Sequence, residues 1–152
     1  MTCASRLREF TMNVRTFASR KFSRVDFHIN KPWGWLLFEV DEMAHCTYNV
    51  SDECIRMHAI WRYLRARHPG MRLHIVRYNS HAYKEGGTVI KPAPEQRIAS
   101  ITESLSYVPE TDFVITYLYY RRAGGRPAIT LDHEYSLQEY VRTTAKVCSE
   151  AL

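Results

Sequence analysis

The chain has 152 residues, 45% of them hydrophobic, which is enough for one core and too much for a disordered tail. Its apolar runs are short, 33–40 being the longest and interrupted by Gly34 and Glu39, so none approaches the roughly 20 residues of a membrane-spanning helix. The formal charge of +5 belongs to residues 1–25, where Arg6, Arg8, Arg15, Arg20, Lys21 and Arg24 face Glu9 alone; basic and acidic residues balance in the remainder.

That segment, 1–24, is a basic arm or helix. The stretch 5–20 carries Leu7, Phe10, Met12, Val14 and Phe17 among basic residues and suits an amphipathic helix only loosely. A cluster of this kind can neutralise phosphates and release their counterions. It also reads as a solvated arm, or as an organelle-targeting peptide rich in Arg, Ser and Thr.

Residues 25–29 read as a short strand, 30–34 as a turn (NKPWG), and 35–40 (WLLFEV) as a buried strand, together a hairpin whose second strand is central. A polar loop, 41–51, leads to a helix that Ser51 or Asp52 caps and that runs to about Arg67, burying Ile55, Ala59, Ile60, Tyr63 and Leu64. His68-Pro69-Gly70 ends it. The next strand is 72–78, in which Leu73, Ile75 and Arg77 alternate with His74 and Val76. Residues 79–93 form a long loop, a length often tied to function. A helix over 94–107 accepts Pro94 early. An aromatic strand, 112–121, turns at Gly124-Gly125 into a strand over 128–131, and a last helix spans 136–148. The order is strand, strand, helix, strand, helix, strand, strand, helix after one N-terminal helix. This is an α/β sandwich in one domain with a mixed central sheet, and the strand–helix–strand unit over 35–78 predicts a parallel pair.

Cys3, Cys46, Cys54 and Cys148 form no CxxC pair, and no secretory segment begins the chain, so they read as reduced thiols of an intracellular protein, nuclear or cytoplasmic. Cys46 and Cys54 flank a polar loop and could share zinc with His45, without a second close ligand pair.

Three acids are candidates for chemistry. Asp26 lies on the first strand of the hairpin, while Glu39 and Asp41 are two residues apart at the end of the second, so their side chains share a side. Carboxylates gathered there repel unless a cation holds them, and such oxygen ligands suit Mg²⁺ or Mn²⁺. A salt bridge from Glu39 to Arg56 or Arg77 is the structural alternative; Asp26 can equally be a turn or edge residue, and Asp41 the start of the loop. His45, four residues beyond Asp41, can take a proton near neutral pH, or can be an ordinary surface histidine. Glu53 and Arg56, three apart in the first turn of the helix, face one side and either serve the acids or form an exposed pair.

The string VDFHINKPWGWLLFEVDEMAH, 25–45, resembles the active-site hairpin of the PD-(D/E)XK nuclease superfamily, in the branch related to very short patch repair and EDxHD homing endonucleases. Val25-Asp26-Phe27 stands where that branch has Pro-Asp-Phe, and Glu39-x-Asp41-x-x-x-His45 resembles its second motif. Tyr48, Glu53, Arg56 and Met57, then Arg77, Tyr78, Asn79 and Tyr83, stand at spacings similar to those of virus- and eukaryote-encoded members. The likeness is close over 25–88 and loose from 89 to Tyr120. It implies a restriction-endonuclease-like sandwich and a metal-dependent endonuclease acting on DNA. Asp26 and Glu39 would hold Mg²⁺ or Mn²⁺, with Asp41 as a further ligand or a support. His45 would be the base or leaving-group acid, Glu53 and Arg56 would complete the site, and Asn79 would brace the loop. Asp41 occupies the superfamily's lysine position, which assigns the lysine's role to His45 or Lys84. The basic arm would hold the DNA backbone, and Trp33 or Tyr83 could meet bases. No organic cofactor and no membrane partner is expected, and a homodimer is compatible with the pattern. The rival functions are a nucleic-acid-binding module that has lost cleavage and an interaction domain with no nucleic-acid role.

Overall fold

The computed structural model describes residues 8–12, 23–42, 50–85, 87–120 and 128–131. In chain order the elements are β1 (Arg8–Met12), β2 (Ser23–Lys31), β3 (Gly34–Asp41), α1 (Val50–Arg67), β4 (Arg72–Asn79), β5 (Tyr83–Glu85), β6 (Thr88–Ile90), α2 (Pro94–Ser106), β7 (Phe113–Leu118) and β8 (Ala128–Leu131). The main sheet has six strands in the order β1-β2-β3-β4-β7-β8. Its centre, β3-β4-β7, is parallel, and its outer pairs are antiparallel. The expected α/β class, mixed sheet and parallel pair are therefore present.

The central strands are apolar because both their faces are covered. Every residue of β7 is buried, as are Leu73 through Arg77 of β4. On one face Leu37, Leu73, Ile75, Phe113, Ile115 and Tyr117 meet Cys54, Met57, Ile60, Trp61 and Leu64 of α1. Trp61 anchors this packing by stacking on Phe113, with ring centroids 5.4 Å apart and planes 9° from parallel. The buried stripe of α1 is thus centred on Cys54, Met57 and Trp61; of the five residues expected inside, Ile60 and Leu64 are buried while Ile55, Ala59 and Tyr63 are only half-buried. The opposite face carries His74 and Tyr78, which meet Tyr107 and Arg97 at the two ends of α2.

Gly34 lets β3 start hard against β4. Its φ is +151°, and a Cβ there would overlap the Arg72 carbonyl oxygen and lie 2.7 Å from the Arg72 nitrogen, so only glycine fits this approach.

Three expectations need correction. Within 5–20 the described residues form strand β1, not a helix, pairing antiparallel with β2. Arg8, Phe10 and Met12 alternate with Glu9 and Thr11, and the pairing covers a β2 edge that would otherwise expose unpaired backbone groups. Within 79–93 the chain forms the β5–β6 hairpin rather than a structureless loop. α1 starts at Val50, so Asp52 lies in its first turn with Glu53 rather than at the cap. The expected helix over 136–148 and the rest of the basic arm lie outside the described residues. Among the described residues no helix is long and apolar enough to cross a membrane.

The connection leaving β4 is clamped from α2. Arg97 donates to the Tyr78 hydroxyl at 3.1 Å and to the carbonyls of Asn79 and His81 at 2.8 Å each. Its guanidinium also lies 4.8 Å from the centre of the Tyr119 ring. Tyr119 holds the left-handed φ of 61°, an uncommon conformation for a bulky residue. The Asn79 amide donates to the Tyr119 carbonyl at 2.9 Å, and its oxygen accepts from the His81 N–H at 3.0 Å. Removing one side chain that serves three acceptors leaves the Tyr78 hydroxyl and the two carbonyls to water at best. Arg97→Ala is expected to lower stability by about 2 kcal/mol in urea unfolding and to speed proteolysis within 79–93. An unchanged urea midpoint would mean that the clamp is ornamental.

Candidate active site

The acids identified in the sequence meet where the parallel strands end. In β2 a register slip sets the four residues from Val25 to His28 against the three from Arg8 to Phe10 of β1. This bulge falls at Asp26 and Phe27, both exposed between the buried Val25 and His28. Bulges re-aim side chains at sheet edges and beside reactive centres. The β2–β3 ladder ends at Phe27 and Phe38. Beyond it the Asp26 carboxylate accepts the Val40 N–H at 2.8 Å, so Asp26 sits against the backbone one residue past Glu39.

Glu39 is 5% exposed. Its Oε1 accepts from Arg56 at 3.2 Å, while the other Arg56 nitrogen donates to Glu53 at 3.3 Å. Glu53 also accepts from Arg77 at 2.9 Å. Arg77 is paired in register with Glu39 across the parallel strands and grips Asp41 with two bonds of 2.7 and 2.8 Å. The Tyr120 hydroxyl donates to the same Asp41 carboxylate. The result is an alternating chain, Glu39–Arg56–Glu53–Arg77–Asp41, that ties β3, β4 and the first turns of α1 together and ends on Tyr120.

The electrostatics follow from burial. Glu39's carboxyl is pushed up to about 7, first by burial, which Arg56 and Arg77 oppose, and further by the Asp26 charge. Burial works against the Arg77 cation, but Tyr120 and the Asp41 bonds outweigh it and hold its pKa well above the ordinary arginine value. Burial likewise raises Tyr120 well above an ordinary tyrosine, so it stays a donor to Asp41.

The site residues therefore fall into three groups. Asp26 and Glu39 come together closely enough for one charge to be felt by the other. Asp41, Glu53 and Arg56 join Glu39 through ion pairs, and Asp41 is fully buried with its oxygens engaged by Arg77 and Tyr120. His45 lies outside the described residues, as do Tyr48 and the Lys84 side chain. The suggested zinc group is not assembled among the described residues, since the Cys54 side chain is buried in the apolar core and His45 and Cys46 are outside them. Tyr83 is buried and Trp33 half-buried. Trp33 and Tyr83 are thus mostly occupied by packing.

Sequence reasoning offered Arg77 only as an alternative salt-bridge partner of Glu39, not of Asp41, and did not place Tyr120 in the site. An arginine in the middle of an apolar strand, RLHIVRY, was a usable signal; Tyr120 lies 79 residues from Asp41 and gave none.

The donor set suits a hard divalent cation. The buried chain holds three carboxylates against two guanidiniums, and Asp26 adds another negative charge, leaving about two in excess when Glu39 is ionised. Glu39's pKa is raised first by burial and further by the Asp26 charge, against Arg56 and Arg77, and its second oxygen is outside the Arg56 bond. Among the described residues no group of three His, Cys, Asp or Glu side chains is arranged to hold a metal; Asp26 and Glu39 are the carboxylates that could share one. Water completes such a shell readily for Mg²⁺. No family model, no curated protein and no solved structure matches this chain.

Proposed function

We propose that the chain is a metal-dependent endonuclease of the PD-(D/E)XK type, with a restriction-endonuclease-like sheet, that hydrolyses DNA phosphodiester bonds. The observation that carries this reading is the Glu39 carboxyl: buried, its pKa raised by that burial, and set beside exposed Asp26 at the carboxyl end of a central parallel strand. Open α/β sheets bind their ligands at that end.

Asp26 and Glu39 would hold Mg²⁺ or Mn²⁺, which when bound supplies charge for the phosphoryl transition state and lowers the pKa of a coordinated water. Arg56 fixes the Glu39 carboxylate by one oxygen and leaves the other for a ligand. Glu53 holds Arg56 in place. Asp41 acts as a support: with Tyr120 it locks Arg77, which in turn braces Glu53. His45 carries the proton to or from water, and the N-terminal basic arm meets the DNA backbone.

A plasmid-nicking assay with Mg²⁺, Mn²⁺ or EDTA tests this. Wild type is expected to nick only with metal, and Glu39→Gln to be at least ~100-fold slower. Nicking that persists undiminished in Glu39→Gln would remove the assigned site.

A second reading is favoured by the same Arg56 contact. A guanidinium already satisfies part of Glu39, as expected for a nucleic-acid-binding module that no longer cleaves. That module would bind DNA in EDTA, keep binding after Asp26→Ala, and nick under no metal condition.

A further inference from the structure

α2 reaches the sheet through polar side chains. Its 13 residues meet the strands along one stripe, formed by Arg97, Ser100, Ser104 and, just past its end, Tyr107. Arg97 donates to the Tyr78 hydroxyl, and the Ser100 hydroxyl lies 2.7 Å from that of Tyr119. The Tyr119 hydroxyl donates to the Gln96 carbonyl at 2.9 Å. The Tyr107 ring meets His74 edge-on, with ring centroids 5.3 Å apart. The residue that α2 buries is Ser104. Its large apolar side chains lie elsewhere: Ile98 is 64% exposed, and Ile101 and Leu105 are half-buried. α1 is built the other way, with Cys54, Met57, Ile60, Trp61 and Leu64 in the core.

The sheet face under α2 is polar as well. His74, Val76 and Tyr78 of β4 share it with their register partners Val114, Thr116 and Leu118 of β7. His74 spends one ring nitrogen on Thr116. Its other ring nitrogen, Nδ1, and the Ser104 hydroxyl are both buried with no hydrogen-bond partner among the described residues. Polar groups left so weaken the contact that buries them. A helix of this length is marginal in water and depends on burying an apolar face, and elements with few buried apolar contacts are those that open locally. α2 is also fastened beside the carboxylates. Tyr119, held by Gln96 and Ser100, precedes Tyr120, whose hydroxyl donates to Asp41.

We propose that α2 is a strap that opens as a unit while α1 and the central strands stay folded, with the polar contact of Ser104 on His74 and Thr116 as its weak seam. Opening bares the face that carries Val76, Val114 and Leu118, and it breaks both holds on Tyr119, the neighbour of Tyr120. The device needs neither a metal nor a nucleic acid, so it stands or falls apart from the nuclease reading.

The test is native-state hydrogen exchange of the full chain, read at single amides by NMR. In wild type the hydrogen-bonded amides of α2 are expected to exchange at least ~100-fold faster than the slowest amides of α1. Low urea should speed α2 exchange with a slope less than about half that of α1, because less surface is exposed. Ile60→Val trims a fully buried side chain of α1. It is expected to speed the slowest α1 amides about fivefold and to leave α2 unchanged, since α1 is intact when the strap opens. Ser104→Ala is expected to slow α2 exchange about tenfold by removing a buried hydroxyl. Thr102→Ala, at an exposed position of the same helix, gains a similar helix propensity and should slow it by about threefold at most. Equal urea slopes in α1 and α2, or α2 amides that speed up together with α1 in Ile60→Val, overturn the strap, because α2 then opens only when the whole domain unfolds. Ser104→Ala that slows α2 no more than Thr102→Ala overturns the seam.

Discussion

Arg77→Met is expected to destabilise the protein by about 3–5 kcal/mol, the largest effect of any single side chain in the candidate site. Arg77 is 3% exposed and Asp41 is fully buried. Their two bonds satisfy a charge that has no access to water, and Arg77 also donates to Glu53. Methionine keeps much of the volume but takes both of those bonds from Asp41, to which the Tyr120 hydroxyl still donates. Removing one member of a buried pair leaves an uncompensated charge, whereas replacing both by apolar groups is often neutral. The double variant Arg77→Met, Asp41→Leu should therefore recover most of the loss. Urea midpoints with an unchanged slope measure both. A single variant as stable as wild type, or a double variant no better than the single, contradicts this account. Because Glu53 loses a brace in either variant, Arg56 is less firmly held, and any metal-dependent nicking should fall in both.

The second large effect is a hidden pH dependence. Glu39 titrates near 7 in the folded protein against an ordinary 4.5, so the folded state binds more protons than the unfolded one between those values. Its contribution is full below about 4.5 and is lost as pH rises through 7, by about 3 kcal/mol. His74 does the reverse. It is fully buried between β4 and β7, its Nε2 lies 2.9 Å from the Thr116 hydroxyl, and burial lowers its pKa from 6.5 to about 4. There the unfolded state binds more protons, so stability is full above about 6.5 and is lost as pH falls through 4, again by about 3 kcal/mol. The two slopes oppose each other from about 4.5 to 6.5. Subtracting the stability–pH curve of Glu39→Gln from that of wild type, in EDTA, should give a difference that falls with rising pH across 4.5 to 7. The same subtraction for His74→Gln should give one that rises from 4 to 6.5. Difference curves that are flat, or of the opposite sign, would show that these groups are not buried as described. Added Mg²⁺ should flatten the Glu39 limb alone, since a bound cation favours the ionised carboxylate.

The local pattern of the chain carried most of the architecture. Apolar runs of strand length over 35–40 and 72–78, an intervening segment of helix length and the turn at 30–34 were enough to place β3, α1, β4 and their parallel pairing, because hydrophobic periodicity and turn chemistry are properties of neighbouring residues. The same local logic picked out Glu39, since an acid at the end of so apolar a strand demands a partner, and Arg56 was among the partners it suggested.

What failed was what depends on remote pairing. Residues 8–12 became a strand because β2 offered an edge to pair with, a fact that no window of the basic arm contains. The buried stripe of α1 is set by Trp61 meeting Phe113, 52 positions away. The part played by Asp41 likewise lay beyond local reading. Its spacing from Glu39 marks it as a neighbour on the same side, but Arg77 from β4 and Tyr120 from beyond β7 occupy its carboxylate. Composition and periodicity by themselves determined the layers and the central acids of this protein. Only tertiary structure decided which charges neutralise one another, because an ion pair forms between side chains that the chain brings together from anywhere along its length, and burial then makes that choice costly to undo.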